Sequence, residues 1–393
     1  MQARKRFSSA ATRILTTTLF VGVIPSGAVL QAQRGISRAV PPLRQGRLQR
    51  RHLFSKLGIS ILSVWISLSL LIALPLPQSN QPAAPAQSPA APLTLDEALR
   101  IVKQSKSDPK AAEAVIAERG VAFELEEKIQ KKLQKAGATD DLLAEIWKVT
   151  PSGKAQMRAL LTSPSGVEMQ ASAAEAMALK DIQNENAPAA RLKLVDAFEK
   201  KFPTSPLLSY AYTEAARAHQ QDGTLDEAVQ YAKKSLKLDA DNTYSLIILA
   251  LVLPQPTLLK GNGNEIQAQL TEAAADANRA LTLLDKLQKR PDETDDQFQT
   301  RKGSLTADCH FALGMGEMQR DQFDKAAVDY QAAISSTSKP TFQYFYRLAE
   351  AYASEGHVSE AIDSLRKASE LAKGTPMQKV ADDFMAELQQ KPH

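Results

Sequence analysis

The sequence predicts an all-α chain in which antiparallel helix pairs stack into a solenoid, preceded by a small helical module and an apolar N-terminal helix. Three observations carry this reading. Glycine is scarce, 17 of 393 residues, while alanine and leucine abound, which favours helix over sheet. Apolar residues recur at helical spacing between helix-start and helix-stop signals. The C-terminal half also repeats itself, since Leu313 to Leu348 and Ala326 to Ala361 are both 35 residues apart.

The N-terminus is read from charge. Residues 1–56 carry eleven of the 48 Lys and Arg and no acid; removing them leaves 37 basic against 44 acidic residues, a net charge of about −7. The pI of 8.9 therefore gives no indication of nucleic-acid binding. After this basic, unstructured segment, residues 57–77 form an uncharged apolar run, "GISILSVWISLSLLIALPLP" over 58–77, which at about 1.5 Å per residue approaches the hydrocarbon thickness of a bilayer. Arg47, Arg50, Arg51 and Lys56 precede it and no cation follows in the linker, so the N-terminus is expected in the cytoplasm and the remainder across an inner membrane, in the periplasm. An uncleaved signal anchor and a signal peptide cleaved at Ala84-Pro85-Ala86 both stay open; the distance of that site from the apolar run, and its prolines, favour the anchor. A weaker apolar stretch, 14–30, is either a second poor span or sequence upstream of the true start. The single cysteine, Cys309, excludes an internal disulfide and, lying far beyond the apolar run, a lipoprotein anchor. Residues 78–92, rich in Pro, Ala, Gln and Ser, read as a linker.

Residues 93–151 form the small module. Thr94 and Glu97 make a capping box ahead of Leu95, Leu99 and Val102. Val115 and Ile116 run to the stop Arg119-Gly120. A second stripe is expected from Val121, Phe123, Leu125, Ile129 and Leu133 to Gly137, and a third from Leu142, Leu143, Ile146 and Trp147. Glu124, Glu126 and Glu127 read as a solvated helix face opposite the following lysines.

The repeats span 165–374. The last unit places Phe345, Leu348, Ala349, Tyr352, Gly356, Ala361, Leu365 and Ala368; the preceding one His310, Leu313, Gly314, Phe323, Ala326, Tyr330 and Ala333; an earlier one Tyr212, Ala215, Ala216, Gly223, Ala228 and Ala232, with Thr224 and Glu227 as a capping box. The spacing has a cause: antiparallel helices approach closely only where crossing points carry small side chains. On these residues the chain resembles a tetratricopeptide repeat protein of the bacterial, membrane-anchored or exported kind. The resemblance implies a right-handed α-solenoid. Two further pairs are degenerate: "LKLVDAFEKKFPTSP" reads as the second helix of a first unit, and "YSLIILALVL" with "TEAAADANRALTLLDKL" as an interrupted one. The insertions "PQPTLLKGNGN" and "KRPDETDDQFQTRKGS" flank the latter's second helix, the second insertion either separating two pairs or extending them. Residues 375–393 form a C-terminal helix, with Val380, Phe384, Met385 and Leu388 on one stripe. It either caps the array or folds into its groove.

In the family, the second, fifth, ninth and twelfth positions of each first helix line a concave peptide groove. By that resemblance the groove residues are Tyr210, Thr213, Arg217 and Gln220; then Asp308, Phe311, Met315 and Met318; then Gln343, Tyr346, Glu350 and Ala353. Of these, Tyr210, Arg217, Phe311, Met315, Met318 and Tyr346 are the candidate contacts, an apolar, methionine-bearing surface suited to an adaptable peptide. The same residues could instead be core. No nucleophile–base pair, metal-ligand spacing or phosphate loop stands out: "KGNGNE" reads as a turn, and His219, His310 and His357 as packed or surface side chains. No catalytic activity, cofactor, metal or small-molecule substrate is expected. The expected partner is a protein or peptide, with the chain a scaffold of the cell envelope or, alternatively, a periplasmic holdase for exported clients.

Overall fold

Capping chemistry and small-residue crossings set the helices of this chain in order. The computed structural model describes residues 91–390 apart from 164, 165, 167, 291 and 292, all within one compact unit. The expected span 57–77 lies outside the described residues; among those described, no helix is long and apolar enough to cross a membrane. The described residues hold sixteen α-helices and no strand beyond two isolated bridges.

Five helices build the first part: α1 (Leu95–Gln104), α2 (Pro109–Arg119), α3 (Glu127–Ala136), α4 (Asp140–Lys148) and α5 (Gly153–Leu161). Thr94 and Glu97 do form a capping box on α1. The expected second stripe is corrected at its start. Val121, Phe123 and Leu125 precede α3, and Val121 pairs in parallel with Leu93 through Leu93 N–H to Gly120 O (2.9 Å) and Ala122 N–H to Leu93 O (2.9 Å). Gly120, at φ +68°, turns the chain out of the helix so that this bridge can form. Glu124 is likewise no solvated-face residue: its carboxylate accepts Ser152 N–H (3.0 Å) and Oγ–H (2.6 Å), tying the extended segment to the start of α5. Glu127, by contrast, does pair with Lys131 in the expected way.

The array follows as five helix pairs: α6 (Ala173–Asn184) with α7 (Pro188–Lys201), α8 (Leu208–Asp222) with α9 (Leu225–Leu238), α10 (Thr243–Val252) with α11 (Gly263–Asp285), α12 (Asp295–Gln319) with α13 (Phe323–Ser336), and α14 (Phe342–Glu355) with α15 (Val358–Leu371). Trp147 and Leu161 share a hydrophobic cluster with Ala176, Leu179 and Phe198, so the core runs unbroken from the first part into the array. The second insertion extends the pairs: α11 and α12, at 23 and 25 residues, outrun the 14 or 15 of α8, α9, α13, α14 and α15. "KGNGNE" opens α11, where Asn262 and Glu265 form a capping box. The last helix, α16 (Pro376–Gln390), lies against α15; its Phe384 ring meets Tyr346 at 5.8 Å and its Asp382 accepts Ser369 Oγ–H at 2.7 Å.

Small residues mark the crossings. Ala216, Ala228, Ala326, Ala349 and Ala361 are each fully buried. At Gly314 even a methyl group would stand 2.6 Å from the Tyr330 ring, itself fully buried, so this crossing admits hydrogen alone. The expected capping box of Thr224 and Glu227 is absent. Thr224 Oγ1 turns back to His219, at 3.2 Å from its carbonyl and 2.8 Å from Nδ1, and so caps the end of α8 rather than the start of α9.

The turns inside three pairs isolate a backbone effect. Gly223, Asp321 and Gly356 occupy one repeat position, at φ +75°, +57° and +87°. No atom lies within 4 Å of where a Cβ would stand at Gly223 or Gly356, so only backbone conformation selects glycine there. Asp321→Gly is therefore expected to raise stability by about 0.5–1 kcal/mol, and Gly356→Ala to lower it by about 1 kcal/mol. Urea unfolding of the two variants beside the parent checks the opposed signs.

Candidate peptide-binding face

The first helices α8, α10 and α12 carry the candidate site. Arg191 of α7 locks its frame. Fully buried, it donates to Glu185 O (2.9 and 2.7 Å) and to Gln221 Oε1 (3.2 Å), and its charge faces Glu214 of α8 at 3.9 Å. Glu214 also holds Arg217 at 3.3 Å. Between α8, α9 and α10, the hydroxyls of Thr213, Ser235 and Ser245 meet at 3.2 and 2.8 Å, all three buried. Thr213, a groove position by the family pattern, is thus interior.

α10 explains why the face is discontinuous. "TYSLIILALV" is apolar all round, and every one of its residues but Tyr244 is buried. Ile247 and Leu251 pack with Leu284, Leu287, Leu305 and Phe298 of the prolonged α11–α12 connection. What α10 leaves at the surface is Tyr244, in its first turn, whose hydroxyl accepts Arg290 at 3.2 Å. Burial raises the Tyr244 phenol, but the guanidinium groups of Arg290, Arg301 and Arg217 outweigh it and hold the phenol below its ordinary value. Arg301, 2% exposed, is matched by both Glu293 oxygens at 2.8 Å. Asp308 of α12 accepts Tyr344 O–H at 2.8 Å and lies within the field of Arg217; burial pushes its carboxyl up to about 6.

The six sequence candidates divide between this face and the interior. Tyr210 and Arg217 stand beside Tyr244, both half-buried; the Tyr210 hydroxyl is buried with no hydrogen-bond partner, and burial pushes its phenol up. Phe311 lies between the rings of Tyr330 (5.5 Å) and Tyr344 (5.0 Å). Met315 is 7% exposed in a cluster with Ala326, Tyr330 and Leu348, and Met318 borders that cluster. Tyr346, 4% exposed, stacks on Phe342 at 5.3 Å beneath α16. Tyr244 and Arg290 were missed. Tyr244 had a signal, lying 34 residues after Tyr210 at the same repeat position. Arg290 had none, since it lies in an insertion.

Cys309 is buried, and burial pushes its thiol far up, away from the thiolate. His310 meets Asp329 at 3.5 Å, and His219 stacks on Tyr231 at 5.2 Å. Among the described residues no group of three His, Cys, Asp or Glu is placed to hold a metal ion.

A stack of antiparallel helix pairs of this kind defines a helical-repeat protein. A family model described as "Tetratricopeptide repeat" matches residues 209–242 and 342–375, so the chain carries tetratricopeptide repeats. Among solved structures, a thermophilic tetratricopeptide repeat protein of Thermus thermophilus is similar at 19% identity and a TM-score of 0.40, over 55% of this chain and 100% of that one. The MamA protein is similar at 16% identity and a TM-score of 0.34, over 56% of this chain and 96% of that one. No curated protein matches this chain.

Asp308 gives the face a pH signature. Its folded-state pKa lies above the ordinary 3.8, so ionisation destabilises the fold at pH above about 6, and stability rises as pH falls from about 6 toward 4. Asp276 of α11, also pushed up to about 6 by burial and by Glu272, acts in the same window. Asp308→Asn keeps an acceptor for Tyr344 and is expected to stabilise the chain at pH 7.5 by about 1 kcal/mol. It should flatten, without abolishing, the change in unfolding free energy between pH 4 and 6, measured by denaturant titration across that range.

Proposed function

We propose that this chain is a protein-interaction scaffold that holds a peptide segment of a partner against the face of α8, α10 and α12, and that it works at the cell envelope. One observation carries the reading: Tyr210, Arg217, Tyr244 and Asp308, from three consecutive first helices, converge as half-buried aromatic and charged groups on one face. Such groups offer hydrogen bonds and flat contact area at modest entropic cost, the composition of binding hot spots. The envelope part rests on the sequence alone, on eleven cations ahead of the apolar run 57–77 and none in the linker after it.

The test is affinity purification of the tagged full chain from cross-linked membranes, with the associated proteins identified. One or two partners near equal stoichiometry are expected, with recovery falling at least fivefold for Arg217→Ala while helicity is unchanged. A broad spread of unrelated exported proteins would favour a client-holding factor. Recovery mainly with cytoplasmic proteins would overturn the topology.

A further inference from the structure

Tyr210 and Tyr244 hold the same place in successive first helices, and Arg290 reaches both. Its guanidinium donates to the Tyr244 hydroxyl at 3.2 Å, and its charge acts on the Tyr210 phenol, whose hydroxyl is buried without a partner. Arg290 is presented from a fixed frame. Before it, Leu287 is 6% exposed within the α10–α12 cluster, and after it Arg301 binds Gln288 O at 3.1 Å and Glu293 at 2.8 Å. The neighbouring arginines have carboxylates of their own: Arg217 has Glu214, Arg301 has Glu293 and Arg279 has Asp241. Asp239 acts on Tyr210 as a carboxylate, and the Tyr244 phenol lies in the field of Arg301 and Arg217 as well as Arg290. A phenol that already accepts one guanidinium, beside a second whose hydroxyl is buried without a partner, suits another guanidinium in the same place, with its planar fork of donors and its stacking on aromatic faces.

We propose that Arg290 is an internal ligand of the Tyr210–Tyr244 pair, and that the partner segment enters this face by placing an arginine of its own where Arg290 now lies. The inference rests on the scaffold reading and names the chemistry of its partner. Exchange needs only the Arg290 side chain to swing out, because Leu287 and Arg301 stay anchored. A partner lacking a guanidinium leaves the tyrosine pair occupied from within, so Arg290 also sets a threshold for binding.

The test uses the full chain with Arg290→Ala, and with Arg290→Gln should the alanine variant not fold, helicity being checked by circular dichroism. The probe is a fluorescein-labelled peptide of residues 284–295 added in trans, read by anisotropy. The variant is expected to bind the peptide at least tenfold more tightly than the parent. That gain should be lost when alanine replaces arginine in the peptide, or when Tyr244→Phe is added to the variant. Equal affinity for parent and variant, or for the peptide with and without its arginine, overturns the proposal. Partner recovery by the unmodified chain is measured separately, so the scaffold reading stands or falls on its own result.

Discussion

Helix pairs in this array meet closely only where one wall of the contact carries no more than a methyl group. Ala228, Ala326 and Ala361 supply buried small residues in three second helices, Ala216 and Ala349 do so in the first helices, and Gly314 is the small wall against the Tyr330 ring. Everything downstream depends on it. With the pairs closed, the first helices of neighbouring pairs lie near one another, and residues one repeat apart align. Tyr210 beside Tyr244 is a consequence of that register, as is the approach of Arg217 to Asp308 across α10.

The third pair shows how the architecture absorbs an irregular unit. α10 is apolar on all sides, and a helix of that kind is stable only when covered on all sides. The cover comes from the lengthened α11 and α12 and the turn after α11: Leu284, Leu287, Phe298 and Leu305 close over Ile247 and Leu251. Burying Arg301, 2% exposed, requires its charge to be matched. Arg301 and Glu293 meet that requirement as a bidentate pair, and Arg301 also caps the Gln288 carbonyl. The insertion that interrupts the repeat pattern thus completes the core and delivers Arg290 to the face.

Much of this was legible in the residues, for identifiable reasons. The 34- to 35-residue spacing and the alanine positions carried the helix pairs, because both are direct consequences of close crossing. Thr94 and Glu97 announced α1 correctly. Thr224 and Glu227 made the same pattern without the cap, since the left-handed turn at Gly223 leaves Thr224 within reach of the end of α8 instead. The stripe at Val121 and Phe123 misled for a related reason, a positive-φ glycine that redirects the chain into a bridge. At the site, the family pattern gives positions along one helix, whereas burial is decided by neighbours. Met315 and Tyr346 share their repeat positions with the half-buried Arg217 and Phe311, yet α13 and α14 cover the first and α16 the second. Arg290 comes from outside the repeat, where no periodicity points to it.

The claim on which the account turns is that a partner lies against the face of α8, α10 and α12. Site-specific photo-cross-linking in intact cells tests it most directly. A benzophenone amino acid placed at Arg217 is compared with one at Leu238, which is 57% exposed at the end of a second helix. The account predicts a discrete adduct from position 217 and none from 238. Adducts from 238 alone, or equally from both, would contradict it.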